Sequence, residues 1–214
     1  MIRAVVFDLW DTLVEFPAGE AQALKLRLAE LTRFDPEEFE RRWRDGYRAS
    51  QTGPLADSYR ALGVPDEHVD EHVAARHAFG RSVLRLRPGA QETVARLRER
   101  GVKVGLITVC SEEVPAAWPE SELAGLFDAE TFSSDCGLVK PDAEIYLATL
   151  AALGVEPGEA LFVGDGANDE LAGAERVGMT SVLFVPEGRE PHWPEVQEWA
   201  GLRVSSLPEV LELC

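Results

Sequence analysis

Asp8, Thr108, Lys140, Asp165 and Asp169 stand out because each lies at the end of a short apolar run or in a loop beside one. Asp8 closes Val5-Val6-Phe7, Thr108 closes the run that begins at Val102, and Asp165 follows Leu161-Phe162-Val163-Gly164. Lys140-Pro141 lies in a loop just before a helical pattern. If the apolar runs are parallel strands, ligands bind beyond their carboxyl ends. Separated segments then deliver carboxylates, a hydroxyl and an ammonium to one sheet edge. A bound metal and one lysine reverse a negative potential locally, which leaves a small phosphorylated ligand open to this set.

Each residue also has a plainer role. An aspartate after a strand is commonly a turn or helix cap, and this holds for Asp8 and Asp165 alike. Lys140 before a proline can be a surface lysine, and Thr108 can serve β-propensity alone. Asp11 fits loop stabilisation better than catalysis. What favours chemistry is the convergence of all these residues on one edge.

The elements that must position them follow from hydrophobic spacing. Val5 to Phe7, Val102 to Thr108, Leu161 to Val163 and Val182 to Val185 are short, apolar and rich in β-branched residues, the pattern of buried strands. Between them, Val94 and Leu97 precede a stop at Gly101, while Ala143, Leu147, Leu150 and Leu153 keep helical spacing up to Gly154. Strands alternating with helices imply right-handed crossovers and a mainly parallel sheet covered on both faces. The expected fold class is therefore α/β, a doubly wound parallel sheet.

Residues 15–86 read differently. Ala21, Leu24, Leu28 and Leu31 form one helical face, and Asp35-Pro36 has the form of an N-cap with proline at the first helical position. Val69, Val73, Phe79, Val83 and Leu86 suggest a further helix, and no strand pattern interrupts the region. So long a connection exceeds an ordinary crossover several times over. The expected organisation is a core of residues 1–14 and 87–214, with a helical cap at 15–86 inserted after the first strand.

The chain has 214 residues and a formal net charge of −17, which repels nucleic acid and acidic membrane surfaces. Neither is an expected partner. No apolar stretch approaches the roughly 20 residues that span a bilayer. Cys110, Cys136 and Cys214 form no CxxC pair, so a reducing cytoplasm is expected rather than a disulfide framework. The basic and aromatic residues Arg27, Arg41, Arg42, Trp43 and Arg44 read mainly as a solvated helix face.

Phe7-Asp8-Leu9-Trp10-Asp11-Thr12-Leu13 resembles the first motif of the haloacid dehalogenase-like superfamily, where an aspartate opens the loop and a threonine follows four positions later. Thr108 after its strand is similar to the second motif, Lys140-Pro141 to the third, and Gly164-Asp165-Gly166-Ala167-Asn168-Asp169 to the fourth, which carries two acids four or five residues apart. The motifs stand in the family's order, and the resemblance covers essentially the whole chain. It implies a Rossmann-like core and a Mg²⁺-dependent phosphatase acting on a small phosphorylated metabolite. Asp8 would be the nucleophile, forming an aspartyl-phosphate that splits one hard hydrolysis into two easier steps. Mg²⁺ would be held by Asp8, the main-chain carbonyl of Trp10, Asp165 and Asp169. Lys140 would neutralise charge, and Thr108 would hold phosphoryl oxygens.

One position departs from that pattern. Phosphatases of the family carry a second aspartate two residues after the nucleophile, where this chain has Trp10. An indole transfers no proton at neutral pH. Three readings remain open: a phosphatase with another proton donor, a metal-independent 2-haloacid dehalogenase, and a non-catalytic protein that binds metal or phosphate on the same fold. The family's dehalogenases lack the paired acids of the fourth motif, so these favour phosphate chemistry over dehalogenation.

Overall fold

In the first strand, Val5 and Phe7 point to one side of the sheet and Ala4 and Val6 to the other, and all four are completely buried. A strand covered on both faces needs apolar residues at every position, which is why this run shows no polar alternation. The computed structural model describes residues 1–214. After β1 (Ala4–Phe7) come five helices in succession: α1 (Ala18–Leu31), α2 (Pro36–Asp45), α3 (Tyr47–Ser50), α4 (Leu55–Ala61) and α5 (Asp66–Val83). The chain then alternates through α6 (Ala90–Glu99), β2 (Lys103–Thr108), α7 (Glu113–Ala117), β3 (Ala129–Phe132), α8 (Ser133–Cys136) and α9 (Ala143–Leu153). It ends with β4 (Ala160–Gly164), α10 (Glu170–Arg176), β5 (Thr180–Phe184) and β6 (Leu202–Val204).

The six strands form one wholly parallel sheet in the order β3-β2-β1-β4-β5-β6. This is the doubly wound α/β arrangement, and its strand order reverses direction at β1. The outer strands β3 and β6 carry no apolar run in sequence. Their residues are partly exposed, as edge strands allow, so an apolar pattern does not reveal them. One face is packed by α6 and the C-terminal residues Leu207, Val210 and Leu211, the other by α9 and α10. Each fully buried Leu or Phe contributes roughly 1.5–3 kcal/mol. On α9 the apolar spacing misleads at two points. Ala143 is exposed and Leu147 is 46% exposed, while Ile145, Tyr146 and Thr149 join Leu150 and Leu153 on the buried face.

The helical segment has its own smaller apolar cluster, built from Leu28, Phe39, Leu55, Tyr59, Leu62, Val64 and Val69. Asp35 caps α2 by accepting the Glu38 N–H at 2.9 Å, with Pro36 opening the helix. Where the chain leaves the sheet and returns to it, Val14 and Leu86 form an antiparallel bridge, and the Arg87 N–H donates to the Leu13 carbonyl at 2.8 Å. No helix is long and apolar enough to cross a membrane.

Candidate active site

Phe7 is paired with Leu106 and with Val163, so Asp8, Thr108 and the loop after Gly164 leave neighbouring strands at the same edge. Asp8 is anchored there by its own N–H, which donates to the Val163 carbonyl at 2.9 Å. The loop then folds back: the Leu13 and Val14 N–H groups both donate to Leu9 and the Asp11 N–H to Val14, leaving the Trp10 carbonyl outside the ladder. Asp11 adopts φ 57° and accepts from the Phe16 N–H at 3.1 Å and from Arg87 at 3.3 Å, which ties the loop together.

Lys140 reaches this edge from the loop before α9 and bonds both Asp8 Oδ1 and Glu170 Oε2. All three side chains are at most 7% exposed. Glu170 also accepts the Gly166 N–H through Oε1 at 3.0 Å. That approach requires Gly164, since a Cβ there would lie 2.1 Å from Glu170 Oε1. Asp8, Asp165 and Glu170 each present an oxygen, and these lie within 4.8 Å of one another.

The structure does not bring Asp169 into this cluster. Asn168 and Asp169 both take left-handed backbone angles, φ 53° and 59°, and this double turn sends Asp169 outward to Arg176 at 3.1 Å. The inward acid is the next residue, Glu170, five positions after Asp165. The four-or-five spacing of the fourth motif admits either acid, so spacing alone does not choose between them. Asp165 is brought in, its Oδ1 accepting the Ala167 N–H at 3.2 Å. Thr108 ends β2 fully buried, and its hydroxyl and that of Thr12 have no hydrogen-bond partner. An unsatisfied buried hydroxyl costs about 1–3 kcal/mol, which an oxygen-rich ligand would relieve.

Burial, with the Asp165 charge added, pushes the Asp8 carboxyl up to about 6 despite the opposing ammonium of Lys140. Burial likewise raises Glu170 well above the usual carboxylate range. Burial disfavours the charged Lys140, but Asp8 and Glu170 overcome it and hold the ammonium protonated. Three acids facing one lysine leave surplus negative charge. An all-oxygen donor set of this kind fits a hard divalent cation.

Trp10 does not touch this cluster through any polar contact. Its ring packs edge-on to Phe16 at 5.5 Å and lines a cavity of about 360 Å³ between the sheet edge and the helical segment. A second cavity, about 450 Å³, shares Lys25, Trp43, Gln51 and Arg76 with the first and extends among Leu24, Leu28 and Leu55. Arg76 donates to buried Glu113 at 2.7 Å, pinning α5 to α7. Tyr47, on α3, is 43% exposed and lines the first cavity with Trp10 and Cys110, and the partial burial of its hydroxyl raises its phenol pKa against the pull of Lys140. The sequence pattern points to neither Tyr47 nor Glu170.

The family model for haloacid dehalogenase-like hydrolases matches residues 2–178. The chain is similar to a ribulose-1,5-bisphosphate 5-phosphatase of Halopiger xanaduensis, 34% identical over 87% of this chain and 86% of the relative. It is also similar to a glyceraldehyde 3-phosphate phosphatase of Pyrococcus furiosus, 29% identical over 99% of this chain and 92% of the relative. A solved 2-haloacid dehalogenase from Pseudomonas syringae shares the fold, with a TM-score of 0.70 and 23% identity over 100% of this chain and 98% of that one. The chain belongs to the haloacid dehalogenase-like hydrolase family.

Proposed function

We propose that this chain is a cytoplasmic, Mg²⁺-dependent phosphatase that acts on a small phosphorylated metabolite through an aspartyl-phosphate on Asp8. The observation that carries the reading is the surplus of carboxylate at the sheet edge, where Asp8, Asp165 and Glu170 gather around a single lysine. A reaction between a carboxylate and a phosphate dianion needs that surplus offset. Mg²⁺, held by Asp8, Asp165 and the Trp10 carbonyl, with Glu170 beside it, would supply positive charge and orient the phosphoryl group. The names of the two phosphatase relatives agree with this substrate class, and three cysteines with no disulfide agree with a reducing compartment.

The chain's own residues then divide the work. The Asp8 carboxylate attacks phosphorus as the alkoxide or phenoxide leaves, and water later cleaves the acyl phosphate to return Asp8 and free phosphate. Lys140 keeps its proton and offsets charge on Asp8 and the transferring oxygens. Thr108 donates its unpaired hydroxyl to a phosphoryl oxygen. Trp10 supplies no proton, so the leaving oxygen depends on another donor, and the protonated hydroxyl of Tyr47, which lines the same cavity as Trp10, is the candidate.

Trp10 also supports a second reading, metal-independent dehalogenation, because halide leaves without a proton. A screen of aryl and alkyl phosphates and 2-haloacids, with and without Mg²⁺, separates the two. Phosphate release only with Mg²⁺ is the expected result. Halide release without Mg²⁺ would establish the dehalogenase, and turnover of neither class would leave a binding protein.

A further inference from the structure

We propose that Trp193 is a positioning residue that holds the Asp165 carboxylate in the orientation a divalent cation requires; this rests on the metal-dependent reading above. Trp193 lies 28 residues beyond Asp165, in the stretch between β5 and β6. Its indole Nε1–H donates to Asp165 Oδ2 at 2.6 Å, while the Ala167 N–H engages Oδ1 at 3.2 Å. Both carboxylate oxygens are therefore fixed, and the plane of the group is set. Each oxygen still has a lone pair free for a cation.

The stretch carrying Trp193 is itself seated on the loop that carries Asp165. Val196, in the short helical turn after Trp193, presses on Gly166, whose φ is 92° and where a Cβ would fall 2.5 Å from Val196 Cγ1. Only glycine combines that backbone angle with that contact. His192 packs edge-on to the Trp193 ring at 4.8 Å. The hydrogen bond is thus one of several contacts that lock two loops together.

The chemistry of the donor matters as much as its place. An indole N–H is neutral and can only donate. It orients the carboxylate without cancelling its charge, whereas Lys140 neutralises the acids it touches. A neutral second partner that fixes a ligand is the arrangement by which outer groups tune a metal site, typically worth 10–100-fold in affinity.

Trp199 supplies an internal control. It lies in the same stretch but donates its indole N–H to the Leu202 carbonyl at 2.9 Å. Calorimetric titration of Mg²⁺ into wild type, Trp193→Phe, Trp193→Gln and Trp199→Phe, with melting temperatures for each, tests the assignment without any turnover. The expected result is a Kd about 10–100-fold weaker in Trp193→Phe, partial recovery in Trp193→Gln, which keeps an N–H donor, and little change in Trp199→Phe. If Trp193→Phe does not fold, Trp193→Gln at or near wild-type affinity still supports the role. Unchanged or tighter binding in Trp193→Phe overturns the positioning role and leaves the metal reading standing. Equal losses in Trp193→Phe and Trp193→Gln assign the effect to packing and likewise overturn it. No Mg²⁺ binding in wild type defeats the metal reading itself, and this inference with it.

Discussion

Two groups in this molecule each set one cation between an aspartate and a glutamate, and they behave in opposite ways. On α2, Arg41 bonds Glu38 and Asp45 on a helix face where Arg41 is 53% exposed and Asp45 65%. At the sheet edge, Lys140 bonds Asp8 and Glu170 with every side chain at most 7% exposed. Water and salt screen the first group, and such pairs contribute little. The second group has lost its water, so each charge depends on its protein partners and any imbalance raises carboxylate pKa values. Charge density along the sequence is highest on α2, while the capacity for chemistry lies where burial removes the screening.

The largest expected effect is on turnover. Under the proposed reading, Asp8→Asn abolishes phosphate release while far-ultraviolet circular dichroism stays that of wild type, since the side chains are nearly isosteric. Retained hydrolysis in a verified preparation would remove Asp8 from its role.

Breaking the buried group should come next. Lys140→Met leaves two buried carboxylates without their cation, and loss of one partner from a buried pair typically costs about 3–5 kcal/mol. Denaturant unfolding at pH 7 measures it. Because protonation relieves the stranded acids, the loss should shrink at pH 5. The same sign governs metal-free wild type. Folded Asp8 titrates at about 6, above the ordinary 3.8, so its contribution is fully present below pH 3.8 and is lost as pH rises through about 6. A stability that instead rises across that window for Asp8 relative to Asp8→Asn would contradict the assigned environment.

A smaller effect concerns the leaving group. If Trp10 leaves the phosphatase without its acid at that position, aryl phosphates should be cut much faster than alkyl phosphates. Trp10→Asp should then narrow the gap, by up to about 10²-fold at the low end of acid–base catalysis. Comparable wild-type rates on both classes would show that another group, Tyr47 being the first to test, already provides the proton. The smallest effect belongs to the exposed charges. Arg41→Ala should leave the melting temperature and turnover near wild type, and a large loss of either would erase the contrast between the two groups.

Much of this arrangement was legible from local pattern. Val5 to Phe7 and Leu161 to Val163 announce buried strands because central parallel strands are apolar on both faces, and the residues that end them must emerge at one edge. Asp8, Thr108 and Asp165 are found by that reasoning, Lys140 only by its Lys-Pro motif before α9, and the helical character of residues 18–83 follows from the spacing of its apolar residues. β3 and β6 escape it because edge strands are half exposed and need no apolar run.

What remained undecided depends on backbone handedness and on reach across the fold. Asp169 and Glu170 are adjacent acids at admissible spacings, and the left-handed turn at Asn168 and Asp169 turns one outward and the other in. Tyr47 and Trp193 come from segments far away in sequence, one lining the cavity beside Trp10 from the helices and one bonding Asp165 from the stretch after β5. Local pattern determines which residues end strands, because periodicity and burial act within a few residues. Which of two neighbouring carboxylates faces inward, and which distant side chain holds a third, is settled only when the packed fold has placed every backbone that competes for the same space.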